Sequence, residues 1–212
     1  MNNSTTKNSV PKSAKSFRTV AVCLVFVAML LMSPASAKAD IITFELDPLL
    51  LTLPDGYRSV ESSILRFSGS RASSLFIRPE TGEMEFFGTR GLAVESTPGV
   101  FMDFDIPVNS LSLWFGNDHP LQIEEGDTAI LQVFMDGVFV GETTVLLNRD
   151  NIINQQISFS GAVFNRATFH FSTGRTVETI DNIEFTPVPE PASLALLGIA
   201  GTIARIRRRK RS

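Results

Sequence analysis

The central part of the chain, residues 40–186, predicts an all-β fold, an antiparallel β-sandwich or jelly roll. Three observations support this prediction. Apolar residues recur at every second position in short runs, glycine, proline and aspartate separate the runs, and no stretch keeps an apolar period of 3.6 residues. Fifteen of the 17 phenylalanines lie in this part, where we interpret them as core residues. About 147 residues are enough for one domain with a two-sheet core.

The strands are predicted from the alternation of apolar and polar residues and from the turn residues between the alternating runs. In the run FMDFDIPV, Met102, Phe104 and Ile106 alternate with aspartates, which predicts a strand with one apolar and one charged face. In the run LQVFMDGVFVGE, the pair Asp136-Gly137 separates two alternating runs. An Asp-Gly pair in that setting predicts a tight hairpin.

Two further connections are predicted in the same way, at 79–82 in IRPETGEMEFF and at 172–175 in FHFSTGRTVETIDNIEF. We therefore expect about eleven strands, give or take one. The runs that supply them are 41–46, 63–68, 73–78, 83–88, 91–95, 100–106, 109–115, 129–135, 138–146, 156–160, 167–172 and 179–185. No repeat of fixed period is evident, which argues against a solenoid or a propeller.

The charge of the chain is unevenly distributed. Residues 40–186 carry eight arginines and no lysine against 21 acidic residues, a net charge of −13, whereas both ends are basic. An acidic centre argues against a nucleic-acid partner, because phosphate binding needs clustered basic side chains. The single cysteine, Cys23, lies outside the centre, which excludes disulfides, cysteine-based zinc sites and thiol nucleophiles there.

The N-terminal segment, residues 1–39, has the pattern of a secretory signal peptide. A basic start precedes 13 apolar residues at 20–32, and small residues with Ala-x-Ala spacing follow at 35–39. Cleavage after Ala37 or Ala39 would leave a chain that begins near Asp40. An uncleaved membrane anchor is the alternative, although a spanning helix needs about 20 apolar residues.

The C-terminal segment, residues 187–212, combines three features. Alternating prolines at 187–191 predict an exposed spacer, and the mostly apolar stretch 192–206 predicts a single short transmembrane helix. A basic tail follows at 207–212. The positive-inside rule keeps such a tail in the cytoplasm and the acidic domain outside. The basic residues that we expect to stop translocation are Arg205, Arg207, Arg208, Arg209, Lys210 and Arg211.

This tripartite tail resembles the PEP-CTERM sorting signal of Gram-negative bacteria, with Pro189, Glu190 and Pro191 as its signature. The resemblance implies an exported protein that uses the secretion machinery and is held transiently in the inner membrane. It also implies that a membrane-embedded exosortase recognises the tail and cuts near the Pro-Glu-Pro motif, leaving the domain at the cell surface or outside the cell. Proteins with such tails are associated with exopolysaccharide and biofilm matrix.

Residues 40–186 lack the usual signs of catalysis, so we expect a protein that is not an enzyme. The chain has two histidines and contains no G-x-S-x-G, H-E-x-x-H, P-loop or dinucleotide-binding motif. The pairs Asp103/Asp105 and Glu83/Glu85 each share a strand face and represent a weaker alternative, a secreted hydrolase. Solvated strand faces produce such pairs routinely.

Acidic residues in one inter-strand loop make calcium a candidate cofactor, because calcium binds six to eight oxygen ligands. A plain acidic loop is the alternative. The candidate ligands are Asn117, Asp118, Glu124, Glu125, Asp127 and Asp181.

Two functions are weighed for the domain. The first is a non-catalytic structural or adhesive role at the cell surface or in the matrix. The second is a carbohydrate-binding module with an extracellular polysaccharide as partner, for which Trp114 and Tyr57 are the candidate stacking residues. Trp114 should point outward if Leu111, Leu113 and Phe115 point inward.

Overall fold

In a computed structural model, the described part of the chain contains nine antiparallel strands. The structure describes residues 38–49, 52–69, 75–79, 90–94, 99–116, 121–150, 152–173 and 178–189, which contain no helix. The strands are β1 (Asp40–Ile42), β2 (Leu65–Gly69), β3 (Leu75–Pro79), β4 (Arg90–Val94), β5 (Val100–Gly116), β6 (Thr128–Met135), β7 (Val138–Leu146), β8 (Gln155–Phe171) and β9 (Glu178–Pro187). Residues 37–188 form one compact unit.

Strands β5 and β8 form a long ribbon that belongs to both layers of the sandwich. Each has 17 residues, and a straight strand of that length would extend about 56 Å. The register of the ribbon shifts between Asp103 and Val108 and again before Ser110. Buried positions change parity at the same point, from Val100 and Met102 to Leu111 and Leu113. The ribbon therefore bends at a bulge, which redirects its apolar face.

The first layer contains β2, the first half of β5, the second half of β8, and then β6 and β7. The second layer contains the first half of β8, the second half of β5, and β9, which pairs on its other side with β1 and β4; β3 completes this layer beside β4. All pairs are antiparallel. The predicted all-β antiparallel sandwich is therefore confirmed.

The core lies between the two layers and is rich in phenylalanine, as predicted. Phe115 of the second layer contacts Phe169 of the first, with ring centroids 5.3 Å apart, although the two residues lie far apart along the ribbon. Phe104 contacts Phe185 in the same way, at 5.2 Å. These edge and tilted contacts are the favoured geometries of aromatic pairs. The interior thus holds the folded ribbon in its bent form.

The predicted hairpin at Asp136-Gly137 is confirmed. Both residues have positive φ, 51° and 80°, and Met135 pairs with Val138. Two residues of positive φ between paired strands form a type I′ turn, whose twist matches that of the flanking strands.

The predicted connection at 172–175 is wrong as a hairpin, because β8 and β9 do not pair with each other. Both pair with β5, which lies between them in the second layer. The six residues from 172 to 177 join the part of β8 in the first layer to β9 in the second. A tight turn cannot make this connection, since packed sheets lie about 10 Å apart.

Two other expectations also differ from the structure. The runs 100–106 and 109–115 form the single strand β5, and the runs 156–160 and 167–172 form the single strand β8. Ile106 is exposed instead of buried, because it lies in the bulge. The predicted strand 83–88 and the connection at 79–82 lie outside the described residues, apart from Pro79.

Candidate functional site

A cavity lined by described residues lies on the outer face of the first layer. It has a volume of about 440 Å³, within the usual range of small-molecule pockets. We call it the outer-face pocket. Its lining residues are Asp55, Gly56, Arg66, Ser68, Gly69, Phe101, Asp103 and Arg166.

Cross-strand register places these side chains together. Arg66 of β2 lies opposite Asp103 of β5, which lies opposite Arg166 of β8. In the next row that faces the same way, Ser68 lies opposite Phe101. Because successive side chains of a strand point to opposite faces, these five residues share the outer face and the core residues between them share the inner one.

Charged groups are paired within and beside the pocket. The Nε of Arg166 donates to Oδ1 of Asp103 at 2.6 Å. Beside the pocket, Asp105 accepts from Arg58 at 2.7 Å and lies 3.1 Å from a guanidinium nitrogen of Arg66. Both carboxylates of the Asp103/Asp105 pair are thus held in ion pairs. Glu83 and Glu85 lie outside the described residues.

A turn forms one wall of the pocket. Tyr57 N donates to the carbonyl of Pro54 at 3.2 Å, and Gly56 has a φ of +74°, a conformation that glycine adopts without strain. The N–H of Gly56 donates to Oγ of Ser68 at 3.1 Å. The next residue, Tyr57, forms a β-bridge with Phe67. The wall is therefore fastened to β2 by backbone and side-chain hydrogen bonds.

Neither predicted stacking residue lines the pocket. Trp114 is partly buried and packs against Ile153, while Leu111, Leu113 and Phe115 are buried on the opposite face, as expected. The hydroxyl of Tyr57 donates to the carboxylate of Asp47. The structure instead presents Phe101. Its position in phase with Asp103 indicates the charged face of β5, but sequence reasoning missed it because the phenylalanines were interpreted together as core residues.

Asp47 is a fully buried carboxylate at the centre of a hydrogen-bond network. It accepts from the hydroxyls of Tyr57 at 2.5 Å and Ser59 at 2.6 Å, and from the N–H of Val60 at 2.9 Å. Burial raises the pKa of Tyr57, and the hydrogen bond to Asp47 raises it further. A buried charge needs such partners. This network fixes the segment that leads into the wall of the pocket.

A second carboxylate, that of Glu61, holds the adjacent loop. It accepts from the N–H of Thr43 at 2.5 Å and from the N–H of Leu46 at 3.1 Å. Between these residues lies Phe44, which is fully buried and has a φ of +60°. A bulky residue with positive φ is strained, so the loop depends on these hydrogen bonds.

The candidate calcium ligands are only partly described. Asn117 and Asp118 lie outside the described residues, and Glu124 and Glu125 are exposed. Asp127 accepts from Glu124 N at 2.8 Å and from Ser172 Oγ at 3.1 Å. Asp181 is buried in β9, and its Oδ1 accepts from Asn182 N. Among the described residues, no three or more acidic, histidine or cysteine side chains group together as a metal site.

His170 lies on β8, opposite Ile130 of β6, between two buried phenylalanines. Burial lowers its pKa, and the nearby carboxylate of Glu142 opposes this shift only in part. Its Nδ1 is buried without a hydrogen-bond partner in the described part of the chain. The ring thus lies in a partly buried site that disfavours its charged form.

The predicted signal peptide lies outside the described residues up to residue 37, as do Glu190, Pro191 and the rest of the C-terminal tail. Pro189 is the last described residue and is exposed. Within the described part, no helix is long and apolar enough to cross a membrane. The predicted transmembrane helix at 192–206 and the basic residues after it fall on undescribed positions.

Comparison with protein families decides the nature of the tail. Residues 187–211 match the PEP-CTERM protein-sorting motif. The resemblance drawn from Pro189, Glu190 and Pro191 is therefore confirmed. The sorting motif implies a protein that is exported, anchored in a membrane and then brought to the cell surface, with an exosortase as its processing partner.

Comparison with whole proteins adds less. A search of curated proteins finds no match. Among solved structures, a DUF4465 family protein from Bacteroides caccae is similar at 12% identity and a TM-score of 0.49, covering 71% of this chain and 100% of that one. The adhesin domain of Lys-gingipain from Porphyromonas gingivalis is similar at 10% identity and a TM-score of 0.44, covering 71% and 99%.

A third similar structure is CsCBM6-3 from Clostridium stercorarium, solved in complex with cellobiose. The identity is 12% and the TM-score 0.36, covering 59% of this chain and 89% of that one. At such identities and scores, no ligand or activity transfers from these proteins to this chain.

Proposed function

We propose that this protein is a non-catalytic component of the cell surface or extracellular matrix, delivered there by its sorting motif. The match of residues 187–211 to that motif carries the proposal. In this view the N-terminal segment directs export, and the apolar stretch 192–206 holds the chain in the inner membrane with the basic tail in the cytoplasm. An exosortase then cuts near Pro189, and the domain serves an adhesive or structural role linked to exopolysaccharide and biofilm.

The character of the central domain supports a role outside the cell. Its net charge of −13, without lysine, suits a soluble surface, and without cysteine it has no thiol to oxidise. Its outer face carries ion pairs and hydrogen bonds, and the sequence has no motif for nucleophilic or metal-assisted hydrolysis.

The sorting proposal is tested by following the full chain in its host. We expect the wild-type protein to reach the cell surface or medium as a species shortened near Pro189, as measured by mass spectrometry. Replacing Pro189, Glu190 and Pro191 by alanine should leave the chain uncut in the membrane fraction, and so should deletion of the host exosortase. Val188→Ala, directly beside the motif, is the matched control and should be processed normally. An intact chain from Met1 to Ser212 in the cytosol of wild-type cells would contradict the proposal.

Carbohydrate binding by the central domain is the second candidate function. The observation that favours it is the outer-face pocket, which combines the partly exposed ring of Phe101 with two arginines and two aspartates. A few convergent polar groups beside an apolar surface are the usual features of a small-molecule site. Binding of the full chain to immobilised polysaccharides tests this function, and failure to bind any of them leaves the structural role alone.

A further inference from the structure

The outer-face pocket also indicates which class of glycan it fits. We infer that it binds a neutral, hydroxyl-rich sugar rather than an acidic one, with the Arg166 and Asp103 pair as the main recognition element. This inference rests on the proposed carbohydrate-binding function and narrows its ligand.

The floor of the pocket suits the apolar side of a sugar ring. Phe101 points outward from β5 and is only partly buried, unlike Met102 and Phe104 beside it in the sequence. Its cross-strand neighbours in the pocket row are Ser68 and Thr168, whose side chains are small. The exposed part of the ring can contact a ligand that presents C–H groups, while hydroxyls at the rim of that ligand reach the charged residues.

The pair formed by Arg166 and Asp103 offers donors and acceptors side by side. Only the Nε of Arg166 is used by Asp103, so its two terminal nitrogens can donate to a ligand. Asp103 uses only Oδ1 in this bond, so Oδ2 can accept. Two neighbouring sugar hydroxyls, each a donor and an acceptor, match this arrangement, and hydrogen bonds to charged groups are stronger than neutral ones.

The formal charges of the pocket favour an uncharged ligand. Its lining holds Arg66 and Arg166 against Asp55 and Asp103, so the formal charges cancel. Arg66 is also engaged by Asp105 beside the pocket. Both arginines of the pocket are already ion-paired with aspartates and the surrounding domain is strongly acidic, so a uronate or sulfated glycan would meet a net excess of like charge. A neutral glycan meets no such repulsion.

The pocket is formed before a ligand arrives. The Gly56 turn is held by Ser68 Oγ, and Arg166 is held by Asp103 across β5 and β8. Both ion-paired residues stand on strands in the middle of the first layer. Binding therefore requires little ordering of side chains or loops, which favours affinity for a small ligand.

The test is affinity electrophoresis of the full chain in a polyoxyethylene detergent, since a maltoside detergent would itself present a neutral sugar. The probes are dextran, galactomannan and xyloglucan as neutral polysaccharides, and alginate and polygalacturonate as acidic ones. We expect at least one neutral probe to retard the protein and the acidic probes to have no effect. Arg166→Ala should weaken retardation by about tenfold or more.

Arg78→Ala is the matched control, because it removes an arginine from β3, away from the pocket. The side chain of Arg166 is 48% exposed, so Arg166→Ala should keep the fold, which thermal unfolding verifies. Retardation by acidic probes only would overturn the inference about charge and leave carbohydrate binding standing. Retardation by no probe would overturn both. Neutral binding that Arg166→Ala leaves unchanged would overturn the assignment of the site.

Discussion

Replacing Asp47 by alanine is expected to destabilise the domain severely. The carboxylate is fully buried and accepts hydrogen bonds from Tyr57, Ser59 and Val60. A hydrogen bond to a charged group contributes about 1.5–3 kcal/mol, and a buried donor left without a partner costs about 1–3 kcal/mol. Because the three bonds act on one group, the losses do not simply add. We expect a loss of about 3–5 kcal/mol, a large fraction of the stability of a typical domain.

Thermal unfolding of the full chain, followed by circular dichroism at neutral pH, measures this loss. For a domain of this size, 1 kcal/mol corresponds to about 2–4 °C, so Tm should fall by about 10 °C. Asp150→Ala is the control, because Asp150 also accepts from three groups, on Asn148, Ile152 and Asn154, but is exposed. Water can replace its bonds, so Tm should change by only a few degrees. Equal shifts in the two variants would refute the argument that burial determines the cost.

Two further predictions concern pH and packing. Because the pKa of Tyr57 is raised, the folded state favours the protonated phenol. The stability that this phenol contributes is fully present below its unfolded pKa near 10, and it is lost as the pH rises toward the folded pKa. Tyr57 is the only tyrosine in the sequence, so tyrosinate absorbance should appear above about pH 10 only as the domain unfolds. Over that pH range, the Tyr57→Phe variant should lose less stability than the wild type. Titration of the phenol near its unfolded pKa in the folded protein would contradict the link between Tyr57 and stability. Gly116→Ala should cost about 3 kcal/mol, because its Cβ would lie 2.4 Å from the carbonyl oxygen of Ile152. Gly141→Ala should lower the free energy of unfolding by only about 1 kcal/mol, because its Cβ would meet only the ring edge of Phe159, which can shift. Chemical denaturation measures the free energy of unfolding of both variants. A larger loss for Gly141→Ala than for Gly116→Ala would contradict this reasoning.

Strand β5 shows which structural features can be predicted from the alternation of apolar residues and which cannot. Alternation predicted both halves of the strand, and it also contained the change of parity between Val100–Phe104 and Leu111–Phe115. The sequence predicted two strands, 100–106 and 109–115, on either side of Pro107, and proline lacks the N–H that a central ladder needs. A bulge accommodates this proline within one strand. Periodicity alone does not distinguish these two solutions.

The pocket and the Asp47 network were beyond sequence reasoning for a different reason. Arg66, Phe101 and Arg166 meet because β5 pairs with β2 on one side and β8 on the other, and this order of strands depends on long-range packing. Phe101 looked like a core residue in a chain rich in phenylalanine. By contrast, the sorting motif was recognisable because all its features are adjacent in the sequence.

The position of strand β9 in the sheet affects how the domain would resist a force applied through a membrane-anchored tail. It is an inner strand, bonded to β5 along one side and to β4 and β1 along the other, and the tail follows directly from it. A pulling force on the tail would therefore act on the hydrogen bonds of several strand pairs at the same time, in shear, instead of breaking the bonds of an edge strand one by one. While the chain is anchored, drag on the domain would be borne by a strand that is hydrogen-bonded on both sides.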